Sequence, residues 1–143
     1  MSMKEFAEHV IAVAEKSEKR ITNLQLQKIM YFAIGDFISE FGITRELKKM
    51  YDEPFEAWTY GPVVRSEYFR YRNYGSFSIR EPGIYRPQYE LFNKYIHKYM
   101  TKNINRLVEE SHNHSTWWKN SEKILRNQVV KYRLEDLQHD FSV

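Results

Sequence analysis

The run ITNLQLQKIMYFAIGDFISEFG, residues 21–42, limits the fold more than any other stretch of the chain. Leu26, Ile29, Met30, Ala33, Phe37 and Phe41 recur at helical spacing and make one apolar stripe. Leu24, Tyr31, Ile34 and Ile38 widen it, leaving Gln25, Lys28, Asp36, Ser39 and Glu40 as a polar strip. A helix this apolar needs other elements around it, so it is expected to be the buried centre of the fold. Thr22 with Gln25 three residues on has capping-box spacing, and Ile21 is placed to pack on Leu26 as a hydrophobic staple. Gly42 marks the end of the helix. Gly35 inside it costs about 1 kcal/mol relative to alanine, which a close helix crossing would explain.

The remaining elements follow from shorter patterns. Ser2 and Glu5 have capping-box spacing ahead of a helix whose Phe6, Val10, Val13 and Ala14 share a face. PFEAWTY alternates Phe55 and Ala57 against Glu56, Trp58 and Tyr60, the signature of a short strand. Gly61-Pro62 breaks it, and a proline at a first helical position predicts a helix from there to about Asn73, closed by Gly75. SFSIR reads as a second short strand, Pro87–Met100 and Ile104–Ser111 as helices, and NQVVKY as a last strand. Leu134, Leu137 and Phe141 suggest a closing helical segment. The expected fold class is mainly α (α+β): one helical domain, residues 1–143, around a central buried helix with a small antiparallel β element.

Composition narrows the function. A chain of 143 residues buries about two-thirds of its unfolded surface and needs no covalent staple. It has no cysteine, which excludes a disulfide framework and a thiol nucleophile and suits a reducing cytoplasm. The first twenty residues are amphipathic and mixed in charge, without the apolar core of a signal peptide, and no window is apolar enough to span a bilayer. A cytoplasmic protein without membrane attachment is expected. The net charge of +3 allows nucleic-acid binding without arguing for it.

Little points to chemistry. His112 and His114 are one residue apart and cannot share a helical face, and a metal site needs three or four ligands, so no metal is expected. No Gly-x-Ser-x-Gly elbow, phosphate loop or dinucleotide fingerprint occurs. No catalytic residue, no cofactor and no enzyme activity are expected. The stretch from Arg65 to Tyr89 is richer. Arg65, Arg70, Arg72, Arg80 and Arg86 are interleaved with Tyr68, Tyr71, Tyr74, Tyr85 and Tyr89. Arginine holds phosphates and tyrosine stacks on unpaired bases, which supports a nucleic-acid-binding regulator. The same residue types anchor protein interfaces, which supports a protein-binding module at least as well. Tyrosines at helical spacing also pack on a core.

Two runs together resemble the Panacea domain, an antitoxin family also found in phage-associated proteins. The first is Thr22-x-Leu24-x-Leu26-Gln27-Lys28 followed by two apolar residues and Tyr31. The second is Glu56-Ala57-Trp58-x-Tyr60-Gly61-Pro62-Val63. A third, weaker likeness is His112 with Trp117 five residues on, where Thr116 stands in place of the family's usual proline. The resemblance implies a non-catalytic antitoxin that neutralises a toxin, usually the product of a neighbouring gene, by direct contact. It also implies, for at least one relative, delivery of the toxin to an ATP-dependent protease.

Physically, Leu24 and Leu26 read as central packing and Gly61-Pro62 as a strand-to-helix corner. A buried Gln27 needs its amide satisfied, and backbone of that corner is the expected partner. Lys28, Tyr31, His112 and Trp117 complete the structural set. Trp58, Tyr60 and Arg65, with Tyr68 and Arg72, are the expected partner surface.

Overall fold

The computed structural model describes residues 1–142. Helix α2 (Asn23–Phe41) is its axis, with Leu26, Met30, Ala33 and Ile34 completely enclosed. Helix α1 (Met3–Lys16) and helix α5 (Asn93–Met100) pack against it, as do α6 (Ile104–Asn113) and α9 (Leu134–Asp140). The mainly-α architecture around a central helix is the one expected. The capping box is formed: Gln25 N donates to Thr22 Oγ1 at 3.1 Å, and Thr22 N donates to Gln25 Oε1 at 2.8 Å. At α1 only half of the expected box forms. Glu5 N donates to Ser2 Oγ, while Ser2 N donates to the Tyr89 hydroxyl and ties the helix start to the 87–92 segment.

Two residues of α2 sit differently from expectation. Lys28 leaves the polar strip and is fully buried, because β-hairpin backbone lies over it and offers an acceptor. Leu24 is only half-buried, one turn from the open helix end, and lines a surface groove.

Strands β1 (Phe55–Trp58) and β2 (Gly61–Val64) form an antiparallel hairpin closed by Thr59-Tyr60, with Trp58 opposite Gly61 and Phe55 opposite Val64. The expected helix start at Pro62 is therefore corrected: Gly61-Pro62 opens a strand. Proline is tolerated there because it faces Ala57, whose own N–H points to the other side and donates to Val130 O at 2.8 Å. Helix α4 (Arg65–Arg70) begins at the end of β2, and a 3-10 turn (Arg72–Tyr74) leads to Gly75 as expected.

Other segments are less regular than their patterns suggested. SFSIR contributes a single bridge, Ser78 to Thr22, and NQVVKY a single bridge, Lys131 to Glu56. The latter is flanked by Ala57 N to Val130 O and Tyr132 N to Phe55 O, so it lies along β1 without lengthening into a strand. Pro87–Phe92 is 3-10 rather than α-helical, yet Tyr89, Phe92, Ile96 and Tyr99 are all buried. Helix α3 (Arg45–Met50) was not anticipated; Thr44 Oγ1 accepts from Leu47 N and caps it. Short helices α7 (Ser115–Lys119) and α8 (Ser121–Leu125) also lie outside the sequence expectations. Among the described residues, no helix is long and apolar enough to cross a membrane.

Gly35 has a different reason from the one anticipated. The ring of Phe141, the C-cap residue of α9, lies on the glycine, and a Cβ would overlap it. Nearby, Tyr132 has a buried hydroxyl with no hydrogen-bond partner among the described residues, whereas Tyr51 OH donates to Tyr132 O at 2.7 Å and accepts from Phe55 N at 2.9 Å.

Two stability outcomes follow. Gly35→Ala should cost roughly 1–3 kcal/mol through overpacking, and adding Phe141→Leu should cost less than the sum of the two single changes. Urea unfolding of the four proteins in that cycle measures the coupling; strict additivity would contradict the packing described. Tyr132→Phe should be neutral or stabilising by up to about 1 kcal/mol, while Tyr51→Phe, which loses two bonds, should cost about 2 kcal/mol.

Candidate functional site

The hairpin is held from two sides. From α2, Gln27 Oε1 accepts from Val64 N at 2.8 Å, just past the corner where its partner was expected. Its Nε2 donates to Asn23 Oδ1 at 3.1 Å, and Asn23 Nδ2 donates to Tyr68 O at 2.9 Å, so one amide chain joins α2, β2 and α4. Lys28 Nζ donates to Pro62 O at 2.8 Å. From the other side, Trp117 Nε1 donates to Trp58 O at 2.8 Å, and His112 Nε2 bonds Thr59 O at 2.8 Å. The His112 and Trp117 rings stack with centroids 3.9 Å apart. The three motif runs of the sequence therefore meet at one corner.

Gly61 is the point of contact. Its φ of +101° is a conformation L side chains rarely adopt, and a Cβ there would lie 2.8 Å from Lys28 Cε and against Ser111 Oγ. Thr116 uses its backbone N–H here, donating to Asp140 Oδ1 at 3.2 Å. Tyr31 is buried, and its hydroxyl bonds His114 Nδ1 at 2.6 Å. Burial pushes the His114 pKa down and the Tyr31 pKa up.

Lys28 is the unusual group. It is 0% exposed, and among the described residues it has no carboxylate partner. Burial pushes its pKa from the ordinary 10.5 down to about 7.

The outer side of the hairpin is open. A groove of about 610 Å³ runs between it and the loop after α8. Trp58, Tyr60, Arg65 and Tyr68 line one wall, and Ile124 and Val129 the other. Tyr60 is 66% exposed and Val129 63%. Trp58 meets Tyr68 edge-on at 5.0 Å and Phe69 at 6.2 Å. Arg65 and Arg72 both lie over the Phe69 ring, at 5.2 and 5.3 Å. Four of the residues named from sequence thus share the groove, and Arg72 stands beside it.

Phe69 was missed, although its spacing is legible: it lies four residues after Arg65 and three before Arg72 on a helical stretch. Val129 gave no signal, because only the tertiary fold brings its loop to the hairpin.

Elsewhere in the 65–89 stretch Arg70, Arg86, Tyr71, Tyr85 and Tyr89 are occupied, while Arg80 is exposed. Arg70 and Arg86 pair with Glu8 at 3.0 and 2.8 Å, and Arg86 also with Glu5 at 3.3 Å. Burial pulls the Glu8 carboxyl up, but the two guanidiniums hold it below its ordinary value. Tyr71 and Tyr89 are buried in the core, and Tyr85 accepts from Asn93 Nδ2 at 2.8 Å. His112 and His114 serve the corner and the core separately, and among the described residues no three His, Cys, Asp or Glu side chains converge as for a metal ion. Comparison with models of known families, with curated proteins and with solved structures returns no match.

Lys28 sets a pH dependence. The unfolded chain keeps that proton up to the ordinary lysine value, the folded chain only to about 7. Between the two the unfolded state binds more protons, so stability rises with pH, by at most about 1.4 kcal/mol per unit. Below pH 7 both states are charged and the slope vanishes. Urea unfolding from pH 6 to about 9.5 should show this rise in the native chain and lose most of it in Lys28→Met. An equal slope in the variant would mean that Lys28 keeps its charge when folded.

Proposed function

We propose that this protein is a non-catalytic binding module of the antitoxin type, neutralising a protein toxin by direct contact in the cytoplasm. The observation that carries the reading is the exposed aromatic–arginine face of the hairpin and α4, set on a corner fixed by buried hydrogen bonds. Aromatic and arginine side chains held on a rigid support are the groups that dominate protein-binding energy, because little conformational entropy is lost when they are covered. The likeness of the 22–31 and 56–63 runs to an antitoxin family names the class of partner. Pairing of Arg70 and Arg86 with Glu8 and burial of Tyr71 and Tyr89 reduce what the 65–89 stretch offers a nucleic acid, and this supports the protein-binding reading.

Co-expression with the product of the neighbouring gene tests the reading. That product alone should arrest growth, this chain should restore it, and the two should co-purify. Tyr60→Ala combined with Phe69→Ala, both exposed, should weaken rescue without changing the thermal midpoint. Rescue with a falling partner level, dependent on an ATP-dependent protease, would identify an adaptor. A harmless neighbour, or one still lethal beside this chain, would refute the proposal.

A further inference from the structure

We propose that the groove between the hairpin and the 127–129 loop receives an extended segment of the partner in which an apolar side chain is flanked by carboxylates. This rests on the protein-binding reading above and specifies the chemistry of what is bound.

Charge is the first reason. The lining contains one acid and one base, Glu56 and Arg65, which approach each other at 3.9 Å and largely cancel. Glu56 is turned inward, its Oε1 also accepting from Trp58 Nε1 at 3.2 Å. Beside them stands Arg72, which among the described residues pairs with no carboxylate, and Arg126 precedes Asn127 on the far wall. Arg70, Arg86, Arg133, Lys94 and Lys98 all have acidic partners. The groove is thus flanked by uncompensated cations. A guanidinium resting on an aromatic face keeps its N–H edge free, and that edge matches a carboxylate.

Shape is the second reason. Leu24 and Val63 give the groove an apolar floor, and its volume lies in the range of roughly 300–1,000 Å³ typical of ligand clefts. The exposed amides of Asn127 and Gln128 line the rim, where they meet backbone groups of an extended chain. Strand addition to β1 is closed off, because residues 130–132 already occupy its outer edge, and the carbonyls of Trp58 and Thr59 are taken by Trp117 and His112. Recognition is left to side chains. Trp58 meets Tyr68 at 64°, edge to face, so these two rings are engaged with each other.

Selection of a random phage-displayed peptide library on the immobilised full chain tests this. Enriched peptides should carry Asp or Glu on both sides of Leu, Ile, Phe or Trp. Synthetic copies with Asn and Gln in place of the acids should bind about tenfold more weakly. The Arg72→Glu chain, which breaks no ion pair among the described residues, should lose the enriched peptides to a similar degree while melting close to the native temperature. No enrichment, enriched peptides without acids, equal binding to the charge-reversed chain, or displacement of the peptides by single-stranded oligouridine would each overturn the proposal. Failure here is separable from failure of the antitoxin reading. A charge-reversed chain that still rescues growth removes the acidic segment but keeps the module, whereas a native chain that cannot rescue removes the module.

Discussion

The protein is organised around a lysine amine buried against a single carbonyl. Lys28 Nζ reaches Pro62 O from the middle of the most apolar helix in the chain, with no counter-charge to offset its loss of water. Desolvation on that scale destabilises the charged form strongly, and the lowered pKa is its direct expression. Gln27, one residue earlier, is buried as well and satisfied at both ends of its amide. Two adjacent polar side chains inside a core have few acceptable arrangements, since an unmade hydrogen bond there costs about 1–3 kcal/mol. The hairpin backbone meets their demands only when β2 lies in one register along α2. The pair therefore acts less as a source of net stability than as a selector of one geometry.

That geometry is what the outer face inherits. β2 is fixed from below by Gln27 and Lys28, and the turn residues from the side by His112 and Trp117. Gly61 lets these supports approach the same backbone, because any side chain there would strike Lys28 and Ser111. At the hairpin turn the left-handed backbone conformation falls on this glycine. The hairpin then presents Trp58 and Tyr60, and α4, which starts directly at its end, presents Arg65, Tyr68 and Phe69. A short, two-stranded ribbon is marginal in isolation. Here it becomes a firm platform because its main-chain groups are bonded from two sides by buried or half-buried side chains.

Much of this was legible in the sequence, and the failures share a cause. The central helix, its capping box, the first strand, the closing helical segment and the shared face of Trp58, Tyr60, Arg65 and Tyr68 all rest on local periodicity or local turn chemistry. Gly61-Pro62 was misread as a helix start because a proline at that point satisfies both a helix and a strand. Only the distant Val130 carbonyl, which draws the Ala57 N–H away, decides between them. Lys28 was placed on the outside because charge usually seeks water, and nothing within a few residues announces the carbonyl that waits for it. Gly35 was assigned to a helix crossing when its neighbour is a ring more than a hundred residues away in the chain. Local rules read local energies; pairings across the fold override them where one hydrogen bond or one ring contact decides.

The arginines show the same distinction acting on function. In sequence, Arg65, Arg70, Arg72 and Arg86 form one basic cluster with equal claims on a phosphate. In space they divide. Arg70 and Arg86 turn inward to Glu8 and fasten the 65–86 segment to α1, where partial burial strengthens the pairs and makes either cation costly to remove. Arg65 and Arg72 turn outward over Phe69. The inward pair builds the scaffold; of the outward pair Arg65 is offset by Glu56 at 3.9 Å, and Arg72 gives the face its sign. A count of basic residues cannot separate these roles, but the position of one buried glutamate does. By drawing Arg70 and Arg86 inward, Glu8 converts part of what would be an extended positive stripe into scaffold and leaves a compact, aromatic, weakly cationic patch on the outside.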